Sequence, residues 1–207
     1  MPENPSPVEP VEQVEPAHPA EPQVRALDAR SLRGLAHPLR MRMLTALRHD
    51  GPATASQLAE RFGESSGSTS YHLRQLATHG FVEDAPGHGK GRERWWRAAH
   101  EGTSLDESLM RDADPATRGA ADVFLREIAA THAQELDAWL RSAGDWPTQW
   151  RSGSDLSNFT LRLTAGQSEE LLHRIHDLIN DYRGLPEAQG TQTVRLHTHV
   201  FPLGAPE

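Results

Sequence analysis

Residues 54–79, TASQLAERFGESSGSTSYHLRQLATH, restrict the fold of this chain more than any other stretch. Leu58, Ala59 and Phe62 recur at helical spacing, and Thr54 or Ser56 stands where an N-cap hydroxyl belongs. Gly63 stops that helix through a left-handed exit. A second helix starts near Ser66 and ends at Gly80. FVEDAPGHGKGRERWWRA follows directly. Its segments 81–85 and 93–98 can pair as a hairpin, and 86–92 form a glycine-rich basic tip able to follow another backbone closely. Two short helices, a tight turn and a basic hairpin leave little room for other architectures.

The second helix carries the chemistry. With Thr69, Leu73 and Leu76 as its buried face, the opposite face holds Gly67, Tyr71, Arg74 and Thr78. Ser68, Ser70 and Gln75 flank that face, and Ser66 opens the helix. A helix buried all round would be apolar here. This one presents hydroxyl, phenol, amide and guanidinium groups, the set that reads base edges and holds phosphates. Lys90, Arg92 and Arg94 on the hairpin add cations for phosphate or the minor groove. His72 lies nearer the core face, so packing is expected first and a phosphate contact second. The return strand puts Arg94 and Trp96 on one face and Trp95 and Arg97 on the other, so one Trp packs on the helices. The other is a surface platform or part of a dimer interface.

Net charge is −8, and its distribution resolves an apparent conflict with a polyanionic partner. Residues 1–26 hold one Arg and five Glu, a net −4. Residues 27–100 hold eleven basic and seven acidic groups, a net +4. Residues 101–207 hold nine basic and seventeen acidic groups, a net −8. Only the segment with the two helices and the hairpin is positive.

The remaining chain divides by composition. Residues 1–26 alternate Pro and Glu, bury too little apolar surface to offset ordering entropy, and are expected to be a disordered tail. Asp28 caps a first helix ending near Ala36; His37-Pro38 interrupts it, and a second helix spans 39–49. Residues 101–114 read as a connector, and 116–142 as a long helix with Val123, Ile128, Leu136 and Leu140 as its larger apolar groups. That narrow stripe suits pairing with a second copy, or packing on its own domain. Residues 144–156 form a loop with Trp146 and Trp150. The end of the chain alternates as a strand over 158–163, turns helical over 165–183 behind Thr164, and alternates again over 194–203.

Three segments, LAHPLRMRMLTAL, SSGSTSYHLRQLATHGFVED and GRERWWRA, together resemble winged helix-turn-helix regulators of the arsenical-resistance-repressor (ArsR) type. The resemblance covers roughly residues 30–98, and 101–207 more loosely resemble the helix and LRLT-helix-strand tail of many actinobacterial regulators. It implies a homodimer with two recognition helices in successive major grooves of double-stranded DNA, usually a repressor released by a signal. Founding members sense metals through cysteines, and this chain has none. Thiolate metal sites, disulfides and iron–sulfur clusters are therefore excluded.

The expected fold class is mainly α with a small β component (α+β): a winged helix-turn-helix domain at 27–100, a connector and dimerisation helix at 101–143, and a loop with a β-α-β module at 144–207. The expected DNA-contacting set is Ser66, Ser68, Ser70, Tyr71, His72, Arg74 and Gln75 on the helix, with Lys90, Arg92 and Arg94 on the wing. The alternative is a ligand- or protein-binding module that uses the winged helix as a dimerisation or docking platform. Trp146 and Trp150 offer aromatic surface to an unidentified small-molecule effector, although a place in the core is the first expectation for them. His197 with His199, and His173 with His176, have chelating spacings, yet nothing completes a metal site; no metal and no cofactor are expected. No phosphate-cradling loop, Gly-x-Ser-x-Gly elbow or His-Glu-x-x-His motif occurs, so no enzymatic activity is expected. Without an apolar leader or an 18-residue apolar run, the chain is expected in the cytoplasm.

Overall fold

The computed structural model describes residues 23–88, 93–183, 185–186 and 188–204. Contacts divide the chain at residue 157 into a larger unit, 22–157, and a smaller one that includes 158–204.

The larger unit opens with β1 (Val24–Ala26), then α1 (Ala29–Leu35) and α2 (Pro38–His49). Asp28 caps α1 through a reciprocal box: its carboxylate accepts from the Ser31 N–H at 2.7 Å, and the Ser31 hydroxyl accepts from the Asp28 N–H at 3.0 Å. The Ser31 hydroxyl, donating to the carboxylate at 2.6 Å, and then the Ser31 N–H hold the Asp28 carboxyl below the usual range. His37 does more than interrupt the chain. Its Nδ1 accepts from the Leu39 N–H at 3.2 Å, so it caps α2, whose Pro38 occupies the first turn.

Next come β2 (Ala53–Thr54), α3 (Ala55–Phe62) and α4 (Ser66–Thr78), followed by β3 (Val82–Asp84) and β4 (Trp95–Ala98). β4 is the centre of a three-stranded antiparallel sheet, ordered β2-β4-β3. Ala53 and Thr54 pair with Trp96 and Trp95, so the segment just before α3 is stitched to the hairpin. The hairpin itself registers Val82 opposite Ala98 and Asp84 opposite Trp96. At two residues, β2 is too short to show a strand period in the sequence.

β5 (Gly102–Ser104) pairs in parallel with β1. Two expectations are corrected here. The tail ending at residue 26 and the connector beginning at 101 each donate three residues to one ladder, Val24 opposite Gly102 through Ala26 opposite Ser104. Neither strand carries an alternating pattern, because the ladder gains its energy from backbone pairing and from covering the core edge. Arg25 lies 4.6 Å over the Phe81 ring, and Leu27 is buried just beyond.

After a short 3-10 turn (Glu107–Arg111), α5 (Pro115–Ser142) begins under an Asp114 cap. Its buried residues are Thr117, Ala120, Ala121 and Phe124, with Ile128 packed at the edge of the core. Of the larger apolar groups of the expected stripe, Val123 and Leu140 are exposed within this chain, and small residues let the first turns of α5 approach α1 closely. Arg33 ties the two together, donating to Thr117 Oγ1 at 2.6 Å and Asp114 at 3.0 Å.

Leu32, Leu35, Met43, Leu44, Leu73, Leu76 and Phe81 are almost wholly buried in one core, each contributing roughly 1.5–3 kcal/mol by removal from water. Arg48 spans the edge of this core, its Nε donating to the His100 carbonyl at 3.0 Å. Burial pulls its guanidinium down to about 10, still charged at neutral pH. The unit ends with α6 (Thr148–Ser152). Near it Trp146 and Trp150 meet edge to face at 6.4 Å, outside the core, with Trp146 exposed.

The smaller unit contains α7 (Ala165–Arg183), capped reciprocally by Thr164 and Gln167. The strands expected at 158–163 and 194–203 are not formed: no ladder is assigned there, and Phe159, Leu161, Val194, Leu196 and Phe201 are exposed. Alternation sets which side chains share a face, but a strand also needs a partner backbone. Leu171, Leu172, Ile175 and Ile179 of α7 are half-buried, and no residue of the helix is fully buried. The α+β class, dominated by helix, holds for the whole chain. No helix among the described residues is long and apolar enough to cross a membrane.

Candidate nucleic-acid interface

Local signals set the angle between α3 and α4. Thr54 and Gln57 form a capping box at the start of α3, with bonds of 2.9 and 3.3 Å. Gly63 ends α3 at φ +68°, a left-handed conformation that glycine adopts without a Cβ penalty. Ser65 then caps α4, its hydroxyl accepting from the Ser68 N–H at 3.1 Å.

α4 is pinned by Thr69, Leu73 and Leu76, each fully buried. Thr69 satisfies its hydroxyl by donating to the Ser65 carbonyl at 3.1 Å. The opposite face is presented as expected: Ser66, Gly67, Tyr71, Arg74 and Thr78 are exposed, and Ser68, Ser70 and Gln75 are half-buried at its margins. Tyr71 is 54% exposed, which matters because a phenol packed on a neighbouring helix would not reach a ligand.

His72 sits apart from that face. Its ring lies 4.5 Å from His37 and 5.2 Å from Tyr71. Its Nδ1 is buried without a hydrogen-bond partner among the described residues. Burial, then the neighbouring His37 and Arg40, hold this imidazole below its ordinary value. The ring packs against His37 beneath the exposed face.

On the hairpin, Trp96 is buried and Trp95 half-buried, the latter with its ring 5.7 Å from His88. The Arg94 guanidinium lies 3.9 Å over the Trp96 ring. It also forks onto Asp84, with Nη2 donating at 2.9 Å and Nε to the other oxygen. That pairing holds the Asp84 carboxyl below the usual range. Arg97 pairs across the strands with Glu83 at 2.7 Å. Two hairpin cations are thus balanced by carboxylates of β3, a charge compensation that counting over 27–100 conceals. Lys90 and Arg92 lie outside the described residues.

Between the start of α3, the face of α4 and the foot of the hairpin lies a cleft of about 330 Å³. Ser56, Ser66, Ser70, Arg74, Glu93, Arg94 and Trp96 are among the residues that line it. Of the expected site residues, Ser66, Ser70, Arg74 and Arg94 converge here, whereas Ser68, Tyr71 and Gln75 are not part of its lining. Sequence reasoning missed Ser56 and Glu93. Their hydroxyl and carboxylate meet at 2.8 Å across 37 positions, and the only signal was an acidic residue inside the basic GKGRER run. Among the described residues, no group of three or more His, Cys, Asp or Glu is disposed to hold a metal ion.

A helix pair at a fixed angle, with a buried and a presented face on the second helix and a hairpin beside it, defines a winged helix-turn-helix module. Residues 35–85 match the model of the helix-turn-helix domain family. Several solved structures are similar, three of them as follows. A homodimeric winged helix-turn-helix DNA-binding domain from Mycobacterium bovis, described as a possible ArsR-family transcriptional regulator, is 23% identical, with 50% of this chain and 79% of its own covered at a TM-score of 0.33. A crystal structure of a possible transcriptional regulatory protein fragment from the same organism is 23% identical, covering 50% and 89% at 0.32. A substituted form of Lactococcus lactis ZitR without ligand is 14% identical, covering 71% and 83% at 0.31. No curated protein matches the chain significantly.

Proposed function

We propose that this protein is a dimeric, sequence-specific DNA-binding regulator of transcription, acting as a repressor, with α4 in the major groove and the wing at 86–94 against the backbone or minor groove. The observation that carries the reading is the division of α4: one face fully buried, the other exposing Tyr71, Arg74 and hydroxyls beside the hairpin. Ser68, Ser70, Tyr71, Arg74 and Gln75 supply base contacts, and cations of the helix and wing position the backbone. Leu125 and Leu140 of α5 stay exposed within their unit and fit a two-fold contact with a second copy.

The test is binding to the DNA upstream of the protein's own gene, at two salt concentrations, with excess competitor DNA. Tight binding that survives competitor and weakens steeply with salt supports the reading. Binding erased by competitor, or indifferent to salt, favours a docking platform for proteins instead. Arg74→Ala should cost about 1–3 kcal/mol on the preferred site and relax sequence preference. If it binds like the parent, Arg74 is not a base-reading residue.

A further inference from the structure

We propose that Glu93 is an acidic gate on the cleft between α3, α4 and the hairpin, its carboxylate standing where a DNA backbone phosphate binds. The inference rests on the DNA-binding reading and adds a residue that lowers, rather than supplies, affinity.

Three observations converge. The cleft is framed by cations and hydroxyls, Arg74, Arg94, Ser56 and Ser70, around about 330 Å³ of open space. The Ser56 hydroxyl, in the first turn of α3, already donates at 2.8 Å to an oxyanion, the Glu93 carboxylate. A phosphate oxygen accepts the same bond, and the positive end of a helix favours either anion. Third, the cation that frames the cleft from the hairpin is already neutralised, because Arg94 is forked onto Asp84. Arg74 and Glu93 both line the cleft, so with the carboxylate in place a phosphate meets a like charge, and without it the cleft turns cationic.

The position of Glu93 lets it yield. β4 starts at Trp95, so Glu93 precedes the ladder, and its side chain is attached through a hydroxyl on the exposed surface. A duplex approaching α4 has to exchange the Ser56–Glu93 bond for a Ser56–phosphate bond. The exchange conserves hydrogen bonds, so the carboxylate charge sets its cost.

A phosphate contact carries no sequence information, so the experiment uses a mixed-sequence duplex and reads affinity by fluorescence anisotropy across salt. The full chain is compared with Glu93→Gln, Arg74→Ala and the double variant Ser56→Ala with Glu93→Gln. Glu93→Gln keeps an acceptor for Ser56 and removes only the charge. It should bind more tightly at low salt, with a log-affinity against log-salt slope steeper by about 0.9, the value for one added phosphate. Over a fourfold rise in salt that is roughly a 3.5-fold larger loss of affinity. The double variant should surrender part of that gain. Unchanged or weaker binding by Glu93→Gln, with an unchanged slope, overturns the gate. If Arg74→Ala still weakens binding in that case, the DNA-binding reading stands without it. A parent with no salt-dependent affinity overturns both.

Discussion

At Gly34, a single hydrogen atom decides whether α1 fits. A Cβ built there would sit 2.5 Å from the His79 ring, well inside contact distance. The glycine is buried in α1, where its helix propensity is poor, so close approach is what it supplies. Gly34→Ala should destabilise the larger unit by about 1–3 kcal/mol through overpacking, read as a lower denaturation midpoint. An unchanged midpoint would mean the imidazole turns aside freely. The neighbouring histidines give a pH prediction. Burial is the leading cause that holds His37, His72, His79 and His100 below the ordinary imidazole value. Around His37 the charges of Arg40, Glu64 and Glu127 act as well, the first lowering it and the carboxylates raising it. In the unfolded chain these groups bind protons near pH 6.5, before the folded protein does. Stability should therefore be constant above that range and fall as pH drops through about 6.5 toward the depressed folded values. His37→Asn keeps an acceptor for the α2 cap and removes one titration. Its melting temperature should fall less between about pH 7.5 and pH 5.5 than the parent's. An equal fall would show that His37 does not contribute.

At the scale of elements, α4 joins the core to the presented surface. Leu73→Ala leaves the exposed face unaltered and should still cost about 2–5 kcal/mol, because the side chain is fully buried. DNA affinity at a temperature where the variant stays folded should be nearly that of the parent. A large loss there would mean that packing of α4 also sets its reading geometry. Helices α1 to α5 were legible because their signals are local: Asp28, Thr54 and Gly63 act within four residues of themselves, and the Thr69–Leu73–Leu76 face repeats at helical period, whereas α6, five residues long, lies inside the segment read as a loop. What the sequence did not disclose depends on distant partners. β1 and β5 lie far apart in the chain and carry no pattern; β2 is two residues long. The Ser56–Glu93 bond and the forked Arg94–Asp84 pair are matters of placement, so a charge count overstated the free cations of the hairpin.

For the whole molecule, exposed apolar residues mark where isolated-chain packing stops. Leu125 and Leu140 on α5 are both more than 40% exposed, which sets them apart from Phe124, buried on the same helix. Replacing both by Arg should shift the protein toward monomer in sedimentation velocity and weaken binding to a two-fold operator more than to a half-site. A parent that sediments as a monomer would remove the dimer from the proposal. The β1–β5 pair has a consequence in time as well as in space. Val24 leaves the ribosome 78 positions before its partner Gly102, an interval of about 4–16 seconds at 5–20 residues per second. β1 thus stays without that partner while every helix through α4 is synthesised. The strand that closes the larger unit is also the last it can form, and a nascent chain halted before residue 102 holds both helices of the module with its clasp still open.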